Sequence, residues 1–270
     1  MVKKISAWVY IALVLAFIYL PIAMIMVYSF TTSKVIGTWS GFSFELYREL
    51  FVGSSSDAIM GAFKNTIILG LSAATISTFL GTIASIGIFT MRGKSKKNIL
   101  MLNQIPILNA DIVTGVALML FFVVIGVSRG FFTLLVAHIV ICTPFVVLAI
   151  MPKLKQMDGS LYEAACDLGA KPLQAIHKVI VPQILPGIVS GFMLAFTLSI
   201  DDFVITVFNN GSFETLSTYI YADAKKGGLT PSLRALSTLI FVFVLTMMLV
   251  VNTRRSKDEK NAKLKVTSKK

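Results

Sequence analysis

Long apolar runs separated by short polar segments dominate this chain. A helix needs about 20 apolar residues to cross a bilayer. By that length the pattern predicts six spans, at about 8–30, 62–90, 99–127, 131–151, 184–208 and 233–252. No soluble domain is left over. The sequence therefore predicts an all-α polytopic membrane protein, with one six-span domain over residues 1–252 and a basic tail over residues 253–270.

The third run departs from the simple pattern. It is longer than one span requires, and it contains Pro106 beside Asn103, Gln104, Asn109 and Asp111. Proline removes a backbone donor, and polar side chains are rare in lipid, so we expect a broken or re-entrant third span.

The first run and the segment after it also need an interpretation. Residues 8–30 are too long for a signal-peptide core, and no small-x-small cleavage site follows, so we expect a retained helix. The polar segment 31–60 is predicted to lie outside the cell, with a short interfacial helix.

Composition and charge fit this interpretation. The chain is 56% hydrophobic and 14% charged, whereas a soluble domain is about 25% charged. In a soluble protein the net charge of +12 would point to nucleic acid. Here 18 of the 25 Lys and Arg fall on one side of the six-span layout; without the tail the ratio is 10 to 7. The positive-inside rule therefore predicts that both termini and the loop after the fourth span are cytoplasmic, with no nucleic-acid partner.

The loop between the fourth and fifth runs, at about 153–183, has a specific pattern. Ser160 and Glu163 have the spacing of a capping box, so a short helix should begin at Ser160. Gly169 should end that helix, and Pro172 suits the first turn of a second helix that Pro182 ends. The loop is then a helix–turn–helix in water. It either packs on its own protein or docks on a partner.

The sequence offers little chemistry of its own. A Gly-rich loop followed by Lys and Ser or Thr is missing, so the chain should not hydrolyse ATP. Cys142 and Cys166 are too far apart to indicate a metal site or a disulfide. His138 is expected to make a hydrogen bond between helices. The sequence therefore predicts no enzyme activity, no metal and no cofactor.

Three carboxylates inside apolar runs require an explanation. Asp111 lies in the third run, and Asp201 and Asp202 lie in the fifth. A carboxylate within a span is costly unless it meets water or a cation, so these residues favour a pathway for a cationic cargo. The alternative is that Asp201 and Asp202 cap a span that ends early. A protease dyad is disfavoured, because adjacent residues on one helix point about 100° apart.

The loop resembles the signature loop of ABC importer permeases. That signature is Glu-Ala-Ala, three residues, Gly, nine residues, and an apolar-x-apolar-Pro ending. It is matched here by Glu163, Ala164, Ala165, Gly169, Val179, Val181 and Pro182. The resemblance implies that this loop, with Asp167 inside it, docks on a cytoplasmic ATPase subunit.

Three further stretches resemble the spermidine/putrescine importer permeases, in particular the second permease subunit. They are 111–113, 137–147 and 196–202. The resemblance implies the type I ABC importer permease fold, a polyamine substrate, a sister permease, an ATPase dimer and an extracytoplasmic binding protein. It also implies a substrate pathway at Asp111, Ser199, Asp201 and Asp202. The alternatives are a related permease for another small solute, or a stand-alone secondary transporter.

Overall fold

The computed structural model describes residues 2–33, 35, 37–226, 230–242 and 244–246, with side chains from residue 8 onward. Helices account for the regular structure of these residues. The helices are α1 (Val2–Tyr28), α2 (Glu45–Val52), α3 (Ser56–Thr90), α4 (Gly93–Leu108), α5 (Asp111–Val124), α6 (Phe131–Gln156), α7 (Ser160–Asp167), α8 (Pro172–Ala175), α9 (Val181–Asp201), α10 (Val204–Asn209) and α11 (Leu216–Lys225). The predicted all-α class is confirmed.

Four of the described helical stretches are long and apolar enough to cross a membrane: Trp8–Tyr28, Ser56–Thr90, Phe131–Gln156 and Pro172–Asp201. A fifth span arises if α4 and α5 are counted together. For the predicted sixth span, the structure describes an apolar helix over Ser232–Thr246, residue 243 excepted. Residues 247–252 and the predicted basic tail, 253–270, lie outside the described residues.

The third span is broken, as the sequence predicted. The axes of α4 and α5 meet at an angle of 100°. The break lies at Asn109 and Ala110, whose ψ angles of 147° and 134° are extended. Pro106 stays inside α4, one turn before the break. The polar residues therefore mark the place where the helix stops.

The chain divides into two compact units. One comprises residues 1–60 and 223–270, and the other residues 61–222. In the first unit, the rings of Phe30 and Phe42 stack with their centroids 5.5 Å apart, and the ring centroid of Tyr47 of α2 lies 5.3 Å from that of Phe30. These contacts hold α2, the short helix predicted for the 31–60 segment, against the end of α1.

The core of the second unit is built around α6. Val146, Ile150 and Leu154 are fully buried between side chains of α3 and α9. Glycines bring these helices close together: a Cβ added at Gly191 of α9 would lie 3.1 Å from Val146 Cγ1. Close approach through small residues is how helices pack in lipid, where apolar burial provides no driving force.

The predicted loop boundaries need two corrections. Ser160 does not form a capping box with Glu163; α7 begins without that bond, and the Ser160 N–H instead donates to Asp158 Oδ1 at 3.0 Å. Pro182 does not end the second helix. It lies in the first turn of α9, where its missing N–H costs little, and α8 runs through a π-helical turn at Ile176–Ile180 into α9.

The helix that contains the fifth span has different bounds as a result. The sequence predicted a span over 184–208, whereas the continuous helical stretch runs from Pro172 to Asp201. Its far end is set by Asp202, whose ψ of 116° leaves the helical region. A separate short helix, α10, follows.

Candidate functional site

The signature loop presents its motif residues to solvent. Glu163, Ala164, Asp167 and Pro182 are exposed, and Ala165 is half-buried. The loop thus keeps these groups available for a partner.

Gly169 shapes the turn between α7 and α8, as the sequence predicted. Its φ is +86°, in the left-handed region that favours glycine. The Gly169 N–H donates to the Cys166 carbonyl at 2.9 Å, and the Ala170 N–H donates to the Ala165 carbonyl at 3.1 Å. These bonds satisfy carbonyls at the end of α7 and reverse the chain direction.

Two leucines that the sequence prediction overlooked stand out on this loop. Leu168 is 90% exposed and Leu173 is 80% exposed. They flank the Gly169 turn in a segment too polar to lie in lipid. Side chains of this size in water are informative when they cluster, because they mark a contact surface. Binary patterning could have indicated them, since both interrupt a polar stretch.

The end of α9 carries the second group of candidate residues. Asp201 is the last residue of α9 and is exposed, whereas Asp202 is half-buried. Asp111 is the first residue of α5 and is also exposed. Ser199 is buried. The four predicted residues thus fall into an exposed pair and a pair turned toward the protein interior.

Packing of α10 on α5 brings these carboxylates to one region. The Asn209 side chain donates to the Gly115 carbonyl at 3.1 Å, and a Cβ at Gly115 would lie 3.3 Å from Cα of Ile205. Asp111 lies one turn before Gly115 on the same face of α5. Asp202 lies two residues before α10, at the same junction.

Asp202 is bonded to the first turn of α10. Its carboxylate accepts from the Ile205 N–H at 3.3 Å and from the Thr206 N–H at 3.0 Å. The Thr206 hydroxyl lies 3.1 Å from the same carboxylate. Asp202 therefore fills the role of an N-terminal cap for α10.

His138 of α6 links this turn to the core, and the predicted hydrogen bond between helices is confirmed. Its Nδ1 lies 2.7 Å from Ser199 Oγ, and its Nε2 lies 3.0 Å from Thr206 Oγ1 and 3.7 Å from Asp202 Oδ2. The imidazole is 2% exposed. The sequence predicted a bond but could not name its partners, which lie on other helices.

The part of the chain that the structure describes contains no group of side chains suited to bind a metal ion. No three His, Cys, Asp or Glu side chains there come together as metal ligands would. Cys142 and Cys166 are both free thiols.

Comparison with known proteins adds a family match. Residues 99–254 match the family described as "Binding-protein-dependent transport system inner membrane component". The match contains the break between α4 and α5, the signature loop and the end of α9.

Two curated relatives cover most of the chain. The spermidine/putrescine transport system permease protein PotC of Haemophilus influenzae is 35% identical over 238 residues, covering 88% of this chain and 91% of the relative. The putrescine transport system permease protein PotI of Escherichia coli is 36% identical over 244 residues, covering 87% and 86%.

Solved structures share the fold at lower identity. A subunit of a bacterial ABC transporter that imports the acidic polysaccharide alginate superposes with a TM-score of 0.70 at 14% identity, covering 94% of this chain and 96% of that one. A subunit of the MetNI methionine ABC transporter superposes with a TM-score of 0.56 at 19% identity, covering 74% and 96%. At this identity the likeness establishes the type I permease fold and nothing about cargo.

Proposed function

We propose that this chain, which belongs to the family of binding-protein-dependent transport system inner membrane components, carries a small polycation of the polyamine class into the cell. It is a transport subunit, and ATP hydrolysis belongs to a partner. The observation that carries the choice of cargo is the group of carboxylates at the junction of α5, α9 and α10.

The charge balance at that junction favours a cation. Within residues 61–222, no Lys or Arg comes within ion-pair distance of Asp111, Asp201 or Asp202. Carboxylates at the ends of apolar helices are costly unless a cation or water compensates them. Ammonium groups of a passing polycation would lower that cost. Binding must stay modest, because a station that holds its cargo too tightly prevents release.

The names of the two curated relatives support the same cargo, independently of the charge balance. The Haemophilus influenzae relative is named for spermidine and putrescine, and the Escherichia coli relative for putrescine. Both align over nearly the whole chain. The electrostatic argument and the relatives' names therefore favour the same class of cargo.

The remaining parts of the importer follow as proposals. A sister permease completes the pathway, and an extracytoplasmic binding protein delivers the cargo. A cytoplasmic ATPase dimer docks on the signature loop through the surface around Glu163, Asp167 and the Gly169 turn. Both termini lie in the cytoplasm, in accordance with the distribution of Lys and Arg.

Uptake by the reconstituted complex tests this function. We expect labelled spermidine and putrescine to be taken up with ATP, and amino acids and sugars not to compete. Competition by an amino acid or a sugar instead would favour a related permease for another solute, and uptake without the ATPase would favour a secondary transporter.

Neutral isosteres test the carboxylates. We expect Asp201→Asn and Asp111→Asn each to lower the uptake rate about tenfold, as the loss of about 1.4 kcal/mol of interaction would. Assembly and basal ATP hydrolysis should persist. Asp57→Asn is the matched control, because Asp57 is an exposed carboxylate in the first turn of α3. Wild-type uptake in the Asp201→Asn and Asp111→Asn variants would refute the cationic station.

A further inference from the structure

The two adjacent aspartates at the end of α9 differ in their surroundings. We infer that they have different tasks: Asp201 meets the cargo, whereas Asp202 is a positioning residue that His138 and Thr206 hold in place. This inference rests on the proposed function, since it divides the proposed pathway into contacting and positioning groups.

Hydrogen-bond donors already surround Asp202. Two backbone N–H groups of α10 donate to its carboxylate, and the Thr206 hydroxyl lies within reach of the same oxygen. Asp201 is exposed, and none of the hydrogen bonds within residues 61–222 uses its side chain. A carboxylate that accepts several local bonds has less capacity left for a ligand. The free capacity for an ammonium group therefore lies mainly on Asp201.

One tautomer of His138 satisfies the whole network. The Thr206 hydroxyl can donate to Asp202, either to the carboxylate at 3.1 Å or to the backbone carbonyl at 2.9 Å. Its oxygen is then the acceptor for the His138 Nε2–H at 3.0 Å. Nδ1 carries no proton in this tautomer and accepts from the Ser199 hydroxyl at 2.7 Å. Every polar atom in this chain of bonds has a complementary partner.

The hydrogen-bond network joins three helices close to Asp202, where α9 ends and the chain continues to α10. His138 belongs to α6, Ser199 to α9 and Thr206 to α10. The backbone leaves the helical region at Asp202, so the direction of α10 relative to α9 depends on side-chain bonds. These are the bonds that His138 and Asp202 supply. His138 thus fixes the start of α10 through a buried network, whose members act as a unit.

The position of α10 in turn sets the spacing of the exposed carboxylates. Asp201 ends α9, and Asp111 begins α5, the helix on which α10 packs through Asn209 and Gly115. If α10 shifts, α5 and Asp111 shift relative to Asp201. A linear polycation carries its ammonium groups at fixed intervals, so this spacing should decide which chain length fits the station.

Loss of the network should change cargo selectivity. Thr206→Val keeps the shape of the side chain but removes its hydroxyl, and His138→Gln removes the imidazole bridge. We expect each to raise the KM for cargo about tenfold and to change the ratio of spermidine to putrescine uptake. Thr206→Ser restores the hydroxyl and should restore both values. Cys142→Ala is the matched control, because Cys142 also joins α6 to α9, through its 3.5 Å contact with the Ala195 carbonyl, but does not contact Asp202 or α10 through a hydrogen bond.

A double-mutant cycle in the assembled importer, reconstituted in vesicles, is the decisive test. If His138 acts through Asp202, His138→Gln should change the KM of an Asp202→Asn importer by less than about twofold. Fully additive effects, or an unchanged spermidine-to-putrescine ratio in Thr206→Val, would overturn the inference and leave the proposed function intact. If His138→Gln fails to assemble, the cycle is run with Thr206→Val.

Failure of the proposed function gives a different pattern. In that case Asp201→Asn and Asp111→Asn would transport spermidine and putrescine like the wild type, whatever the result of the cycle. The two experiments therefore distinguish a failure of the positioning role of Asp202 from a failure of the proposed cationic site.

Discussion

Val146 of α6 occupies the space that a side chain at Gly81 of α3 would need. A Cβ atom at Gly81 would lie 2.7 Å from Val146 Cγ1 and 2.8 Å from Val146 Cβ. Real Cβ atoms do not come this close to other carbon atoms. The two helices therefore come this close at Gly81 because residue 81 has no side chain.

Gly81→Val should accordingly separate α3 from α6. We expect a loss of about 1–3 kcal/mol in stability, as for other overpacked cores, measured as a lower melting temperature of the purified permease complex. Gly87→Val is the matched control on the same helix, because a Cβ at Gly87 meets nothing within 4 Å. Equal melting temperatures for the two variants would contradict the packing account.

The turn at Gly169 offers a prediction of a different kind. A Cβ there meets nothing within 4 Å, so the only obstacle to substitution is the φ of +86°. A β-branched residue strains this conformation by at least about 1 kcal/mol, whereas Asn tolerates it. We expect Gly169→Val to weaken ATPase binding and cargo-stimulated hydrolysis, and Gly169→Asn to keep most of both.

Insertion into the membrane should survive in both Gly169 variants, since the residue lies outside the spans. Normal ATPase association and stimulation in the Gly169→Val complex would show that the loop is not the coupling element. Glu163→Lys tests the same surface by charge reversal. Because Glu163 makes no capping bond at the start of α7, any loss of ATPase association in that variant would arise at the docking surface.

Substitution of the exposed leucines of the loop tests whether apolar contacts contribute to docking of the ATPase. Leu168→Gln and Leu173→Gln remove apolar surface that is free in this chain and that we expect a partner to bury. The loss of one such contact should weaken ATPase binding about tenfold or more, measured by pull-down of the purified subunits. Leu161→Gln, at a position with 41% exposure, should have a smaller effect. An unchanged affinity in both test variants would place the docking surface elsewhere.

Asp158 should make the start of α7 sensitive to acid. The Ser160 N–H donates to its carboxylate and holds the pKa of Asp158 below its usual value. A depressed pKa means that the bond contributes stability above the ordinary value, about 3.9, and that this stability is lost as the pH falls through the lower folded value. We expect amide exchange in α7, corrected for intrinsic rates, to accelerate in that window.

Asp158→Ala is the control for that measurement. It removes the acceptor, so the α7 amides should exchange faster at neutral pH and show no further acceleration on acidification. An acid response that persists in Asp158→Ala would have another source.

The proposed orientation has its own test. An impermeant thiol reagent added outside the cell should label Trp39→Cys and leave Cys166 unmodified, because Lys and Arg concentrate on the side that contains the loop. Cys142 is buried and should not interfere. Labelling of Cys166 from outside would refute the six-span topology.

The sequence predicted the fold where the signal was local. The long apolar runs located α1, α3 and α6, and Pro106 with its polar neighbours indicated the bend between α4 and α5. The turn at Gly169 was also predictable, because a glycine after a short helix has few conformational alternatives. In each case a few neighbouring residues determine the geometry.

Predictions were wrong where two local signals competed. Ser160 and Asp158 can both cap the same helix, and Asp158 takes the backbone N–H of Ser160. Pro182 can end one helix or begin another, and the π-helical turn before it lets the chain continue. Nothing in the local sequence ranks these outcomes.

The candidate site shows the same limit at long range. Asp111, Asp201 and Asp202 could be selected from their charge, but their different environments could not. The bonds among His138, Ser199 and Thr206 join positions that are 61 and 68 residues apart. Such pairs depend on how the helices pack and leave no trace in a sequence window.

The helical stretch from Pro172 to Asp201 continues through the π-helical turn into α9, and this continuity has a consequence for length. Its α-helical part, the 21 residues of α9, forms a rod of about 32 Å, in which each residue advances the azimuth by about 100°. The loop surface and the terminal carboxylate are therefore locked in helical phase. Adding or deleting one residue within the rod would rotate Asp201 by about a quarter turn relative to the signature loop, although every side chain of the loop and of the carboxylate group would still be present. The number of residues between the signature loop and Asp201 should therefore matter as much as the identity of the residues themselves.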